Sequence, residues 1–313
     1  MEATMMTMTC AEESRAAEET LAGTFKPADT FFLIQTSLPE YGGWGGEIVK
    51  KAAASGGFAP YLQHLMKTPR AKILFIRRPA SQGKNFYIAV TNQGQPRIYH
   101  RILTDYDEIL TLEIDSLGED RPPRINDCDM HDEGELYTVC TNGRHDPCCA
   151  ARGTPFYQAL IEYAGEDKVW QTTHIGGHRM AATMIAFPQG IVYGHLDPAD
   201  AEAVLSNHRA GYLMTHKYRG RGAYAGHRLD GDAHQAAGAA EGRIRERARL
   251  YADADLRLSE VIATGDQRWR ISFHDSGGTR HDADVNVGMS APRQISCGDA
   301  PKPMPQHEIK ILT

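Results

Sequence analysis

The feature that most constrains this chain is a pair of short loops, Cys140-Thr-Asn-Gly-Arg-His-Asp-Pro-Cys-Cys149 and His174-Ile-Gly-Gly-His178. The first loop holds two thiols with eight residues between them, and the second holds two imidazoles with three between them. On a helix that histidine spacing would put both rings on one face, but Gly176-Gly177 costs a helix about 1 kcal/mol per glycine relative to alanine. The pattern therefore predicts a loop whose backbone approaches something closely. The cysteine loop has the same character, with Gly143 and Pro147, and leads into a helix whose N-terminus would favour Cys149 as thiolate. Both pairs sit at strand ends of one lobe, after the apolar runs 136–140 and 169–173. Two thiolates with two imidazoles form a ligand set for zinc and for 2Fe–2S centres alike.

The rest of the chain reads as α/β. Residues 1–24 are polar, alanine-rich and acidic, as expected of a mobile tail. In residues 25–120, runs at 31–34, 72–76, 86–90 and 98–103 predict strands, with helical spacing at Tyr61, Leu62, Leu65 and Met66. Residues 40–57 are glycine-rich around Trp44, and Asn92 to Gln95 predict a turn. Acidic residues and Pro122-Pro123 mark a boundary, so residues 121–215 form the second lobe. There Thr154-Pro155 predicts a helix start and Gly165 its end. A hairpin follows around Pro188-Gln189-Gly190, then a helix from Asp197-Pro198 to about Arg209. In the extension 216–313, residues 235–251 look helical, 268–273 alternate like a strand, and 296–305 look irregular.

Composition narrows the function. At 313 residues, 41% hydrophobic and 24% charged, the chain can bury a core without covalent staples. A net charge of −6 gives no general reason to expect nucleic acid as a partner. The arginines from Arg219 and Arg221 to Arg243, Arg245, Arg247 and Arg249 read as a solvated helix face, or alternatively as a docking patch for an acidic partner. The longest apolar stretch, 180–187, is far below the roughly 18 residues of a membrane span. The first 20 residues carry five glutamates and one arginine, unlike a secretory or transit segment, so a cytoplasmic location is expected. In a reducing compartment six cysteines suggest metal or redox chemistry rather than disulfides.

Further stretches extend the pattern: Cys149-Ala-Ala-Arg-Gly153, Val169-Trp170, Gly190-Ile-Val-Tyr-Gly194, Tyr218-Arg-Gly-Arg221 with Tyr224, Gln235-Ala-Ala237 and Ser296-Cys-Gly298 with Pro301 and Pro303. With the two loops, they resemble the sucrase/ferredoxin-like family from about residue 134 onward, and more weakly at Ile76-Arg-Arg-Pro79. The resemblance implies a thioredoxin-like ferredoxin domain, preceded by a small α/β lobe and followed by a C-terminal α+β extension. It implies that Cys140, Cys149, His174 and His178 ligate a 2Fe–2S cluster, in an electron carrier or redox sensor supplied by a partner reductase or drained by an acceptor. Asn142 departs from the family pattern, where histidine is common, but lies outside the ligand positions. Cys148 reads as a packed thiol, or else a spare ligand or redox-active thiol. Cys297 reads as packed near the cluster, Cys128 as an incidental loop cysteine, and Cys10 carries no assigned role. Two other functions stand beside this one. A structural zinc module lacks finger spacing here, with eight and twenty-four residues in place of the usual few and about twelve. A thiol–disulfide oxidoreductase lacks a CxxC motif.

Overall fold

The computed structural model describes residues 8–36, 50–52, 54, 57–79, 81–92, 95–119 and 121–312. Most of the glycine-rich stretch at 40–57, with Trp44, and the centre of the turn at 93–94 fall outside these residues. The chain enters with a short helix, α1 (Cys10–Ala16). Then come β1 (Thr30–Gln35), α2 (Ala59–Leu65), β2 (Ala71–Arg77), β3 (Lys84–Val90) and β4 (Arg97–Leu103). Short strands β5 (Arg124–Ile125), β6 (Cys128–Asp129) and β7 (His131–Asp132) lead to a second run. This comprises β8 (Leu136–Cys140), α3 (Pro147–Ala164), β9 (Val169–Thr172), β10 (Met184–Phe187), β11 (Ile191–Tyr193), α4 (Ala201–Arg209) and β12 (Tyr218–Arg221). A long helix, α5 (Gly231–Ala248), precedes β13 (Leu256–Gly265), β14 (Arg268–Asp275), β15 (Arg280–Met289) and β16 (Pro305–Leu312).

Ten strands make one sheet, in the order β12-β11-β10-β8-β9-β2-β1-β3-β4-β7. Only β1–β2 and β8–β9 are parallel pairs within it, each joined by a connection that carries a helix. Their residues are buried on both faces, which is why these segments read as continuous apolar runs. The two halves meet where β2 and β9 pair antiparallel, Ile76 opposite Thr172 and Arg77 opposite Gln171. The α/β class is as expected, including the β-α-β unit with its hairpin and helix and the α+β extension. The expected lobes 25–120 and 121–215, however, share one continuous sheet. It also recruits β12 from the extension, because each half has an open edge that backbone pairing closes.

Four local expectations are corrected. The described part of the supposed tail is packed: Thr9 caps α1 in a reciprocal box with Glu12, and Cys10 and Ala11 are fully buried against Cys148 and Ala181. Helix α3 starts at Pro147, not after Thr154, because the Asp146 side chain accepts from the Cys148 N–H at 2.9 Å. Pro155 then sits inside the helix, where it forgoes one backbone hydrogen bond. Helix α5 likewise starts early, capped by Asp230. The arginines do not form one solvated face. Arg219 and Arg245 are buried, and Arg221 and Arg245 both pair with the buried Glu241.

Candidate metal centre

Cys140 is the last residue of β8, and Cys149 lies in the first turn of α3. They meet because α3 presses its backbone onto the end of β8. A Cβ built on Gly153 would lie 2.0 Å from the Cys140 carbonyl oxygen, so only glycine fits there. The donor atoms of Cys140, Cys149 and His174 all lie within 4.8 Å of one another, with Cys149 Sγ 3.6 Å from His174 Nδ1. His174 also belongs to a second group of the same tightness, with His145 and His178. His145 stacks on His174 at 3.9 Å between ring centroids, and the His174 and His178 centroids are 5.3 Å apart. The structure thus gathers all four expected residues around His174.

The histidine loop is held from outside its own half. Gly177 has φ +68°, a left-handed conformation that suits glycine, and a Cβ there would meet the Arg219 guanidinium at 2.7 Å. Arg219, from β12, donates to the Gly176 carbonyl at 2.8 Å and to Thr24 Oγ1 at 3.0 Å. Lys72, from β2, donates to the Ile175 carbonyl. Thr173 exchanges hydrogen bonds with Phe75 of β2, its N–H donating to the Phe75 carbonyl at 2.9 Å and its hydroxyl accepting from the Phe75 N–H at 3.1 Å. Around the thiols the shell is apolar and comes from both halves, with Ile76, Trp170 and Ile175. On the open side, a cavity of about 530 Å³ is lined by His174, Gly176, Gly177, Arg179, Arg219 and Arg293 among others.

Electrostatics at the site follow from crowding. The hydrogen bond from Cys149 holds the Cys140 thiol well below the ordinary range, against the effect of burial and with help from His174. Cys149 is pushed up by the same bond, by burial, and by negative charge at Cys140, Asp146 and Cys148. Burial lowers His178, and His174 lowers it further. Neither ring nitrogen of His178 has a hydrogen-bond partner, although both are buried. Leaving such atoms unsatisfied costs roughly 1–3 kcal/mol, which coordination would offset. Two soft sulfurs and two imidazoles, one of them with both ring nitrogens unpaired, are a donor set that fits an iron–sulfur or zinc centre.

Sequence reasoning missed His145 and Asp146, although both lie in the cysteine loop, and Lys72, whose only signal is a charge inside an apolar run. Asp146 caps α3 and stands 3.8 Å from His178 Nε2. Cys148 is buried as expected, but it points into a separate group with Cys10, Cys297 and Asp146. Cys128 is exposed.

Residues 21–220 match the model of the family described as Sucrase/ferredoxin-like. The chain belongs to that family. Among curated relatives of this sucrase/ferredoxin-like chain is Altered inheritance of mitochondria protein 32 of Meyerozyma guilliermondii, 25% identical over 138 residues. That alignment spans 41% of this chain and 46% of the relative, so the chain covers about half the relative's length. Solved structures similar to part of it include a thioredoxin-like [2Fe–2S] ferredoxin from Aquifex aeolicus, 18% identical over 30% of this chain and 97% of that one, TM-score 0.26. A cysteine-to-serine variant of the same ferredoxin is 21% identical over 27% of this chain and 96% of that one, TM-score 0.25. No helix among the described residues is long and apolar enough to cross a membrane.

Proposed function

We propose that Cys140, Cys149, His174 and His178 hold a 2Fe–2S cluster and that the protein is an electron carrier or redox sensor working with a partner redox protein. The observation that carries this reading is the pair of overlapping donor groups sharing His174. A single tetrahedral ion needs all its ligands within roughly 4 Å of one another, given bonds of about 2.0–2.3 Å. Here His178 groups with His145 and His174 rather than with the two thiols, a spread that suits a two-iron core. When bound, such a cluster supplies one-electron transfer, and histidine ligation raises its potential from about −400 mV toward roughly −150 to +300 mV.

The chain's own residues do the rest. Cys140 and Cys149 bind from the walled side, where the apolar shell excludes water. Arg219 fixes the histidine loop and places a cation behind it. Burial lowers Arg219 to about 9, so it stays charged at neutral pH and favours added negative charge nearby. His174 lines the cavity, which gives its ring a route for a proton to solvent and a partner a route to the site. Linkage then makes the potential fall as pH rises.

The test is anaerobic purification followed by iron, acid-labile sulfide and zinc analysis of wild type and Cys149→Ala. Expected are about two irons and two sulfides per chain, both lost in the variant. Zinc without sulfide, lost in the same variant, would overturn the reading in favour of a zinc module.

A further inference from the structure

We propose that Cys10, Cys148 and Cys297, together with Asp146, form a second metal site, distinct from that of Cys140 and Cys149, which takes one Zn2+ ion. The three sulfurs come from distant parts of the chain: the first residue of α1, the first turn of α3, and the loop between β15 and β16. They nevertheless form a near-equilateral triangle. Cys10 Sγ is 3.5 Å from Cys148 Sγ, Cys148 Sγ is 3.4 Å from Cys297 Sγ, and Cys297 Sγ is 3.6 Å from Cys10 Sγ.

The geometry selects among the chemistries open to three thiols. A disulfide has an S–S bond of about 2.0 Å and would strand the third sulfur, and none of the three is bonded. An iron–sulfur cubane would spread its thiolates over separate irons, farther apart than this. Thiolates about 2.3 Å from one zinc ion stand about 3.8 Å apart at tetrahedral angles, so the triangle needs to open by only a few tenths of an ångström. Soft thiolate donors also favour zinc over hard cations.

Asp146 completes the set. Its side chain has no solvent exposure. One carboxylate oxygen accepts from the Cys148 N–H at 2.9 Å, and the other from the Cys297 N–H at 2.9 Å and the Ser296 hydroxyl at 3.1 Å. It therefore orients the backbone of two of the cysteines. The same oxygens lie 3.8 and 3.9 Å from Cys10 Sγ, which puts a carboxylate at the fourth corner. Zinc binding would displace the thiol protons to solvent and pin α1 and the C-terminal loop across the start of α3. That clasp would lie beside the first site, since Asp146 also faces His178 Nε2 at 3.8 Å.

The test uses the full chain, purified anaerobically and supplied with Zn2+, in wild type, Cys297→Ser and the double variant Cys140→Ala with Cys149→Ala. Cys297 is only half-buried in a loop, so its serine variant is expected to fold. Expected is about one zinc per chain that persists in the double variant and drops at least tenfold in Cys297→Ser. The iron and sulfide of the first site should stay in Cys297→Ser. X-ray absorption at the zinc edge should report three sulfurs and one lighter atom. Cys10→Ser should repeat the loss. Zinc that vanishes in the double variant but survives Cys297→Ser would overturn the proposal, as would wild type that binds no zinc. A disulfide among these three cysteines in the anaerobic protein, read by mass spectrometry, would overturn it too.

Discussion

The two halves of the large sheet follow the same plan outward from the β2–β9 seam: β9-β8-β10-β11 on one side and β2-β1-β3-β4 on the other. Their chemistry differs at matching places. The second half ends its first strand in Cys140, whereas the first half ends its own in Gln35. The Gln35 side-chain oxygen Oε1 accepts from the Asn85 backbone N–H at 3.1 Å and from the Asn85 side-chain amide, while its own amide nitrogen donates to the Ser81 carbonyl at 3.2 Å. Beyond β9 come Thr173 and His174. Beyond β2 comes Arg78, which lies over the Trp170 ring at 4.3 Å and donates to the Glu166 and Asp167 carbonyls. At Gln35 the first half's polar groups close on one another, whereas at the matching end of the second half both buried ring nitrogens of His178 lack a hydrogen-bond partner. One topology thus serves as scaffold on one side and as a donor cage on the other, and the difference lies in a few strand-end residues.

That contrast can be broken or sharpened experimentally. The largest effect is expected from Cys149→Ala, which should abolish visible absorption from the cluster. Cys148→Ala should leave most of it, because Cys148 points into the other group. Equal bleaching in both would remove the distinction between the two thiol groups.

A third buried polar hub, Glu241 on α5, belongs with Gln35 rather than with His178. It accepts from Tyr218 and Tyr224 at 2.7 Å each and pairs with Arg221 and Arg245. Burial pushes its carboxyl up, but Arg221 and Arg245 outweigh that and hold it down to about 2. A depressed carboxyl contributes stability above its unfolded pKa and loses it as pH falls through the folded one. The unfolding free energy should therefore drop by about 3 kcal/mol between roughly pH 5 and 2 through this group. Urea titrations across that range should show a flatter profile for Glu241→Gln.

Gly153→Ala tests the close approach that joins the two thiols. It should cost about 1–3 kcal/mol by overpacking against Cys140 and lower cluster content, as read by denaturation and iron analysis. Gln35→Ala should cost about 1–2 kcal/mol by taking the acceptor from the buried Asn85 backbone N–H, yet leave the cluster spectrum unchanged. Bleaching in Gln35→Ala would show that the first half does more than support.

The strands that carry the site were legible because they are buried on both faces and end in chemically distinctive residues, Cys140 and the step to His174. The start of α3 was not, because Thr154-Pro155 imitates a helix start that Asp146-Pro147 had already made. Strands β13, β15 and β16 were harder to read because their apolar positions are few and small or set among exposed polar residues, although Ala283, Val285 and Val287 in β15 and Ile309 and Ile311 in β16 do alternate. The triad of Cys10, Cys148 and Cys297 was hidden for a different reason: its members lie 138 and 149 positions apart, and such separations carry no spacing signal.

The most direct test of histidine-ligated iron is pulsed electron paramagnetic resonance on the dithionite-reduced protein, grown with 15N-labelled histidine. The expected result is a reduced 2Fe–2S signal with two strongly coupled 15N nuclei, falling to one in His174→Cys where the cluster still assembles. A reduced cluster with no coupled histidine nitrogen would contradict ligation by His174 and His178.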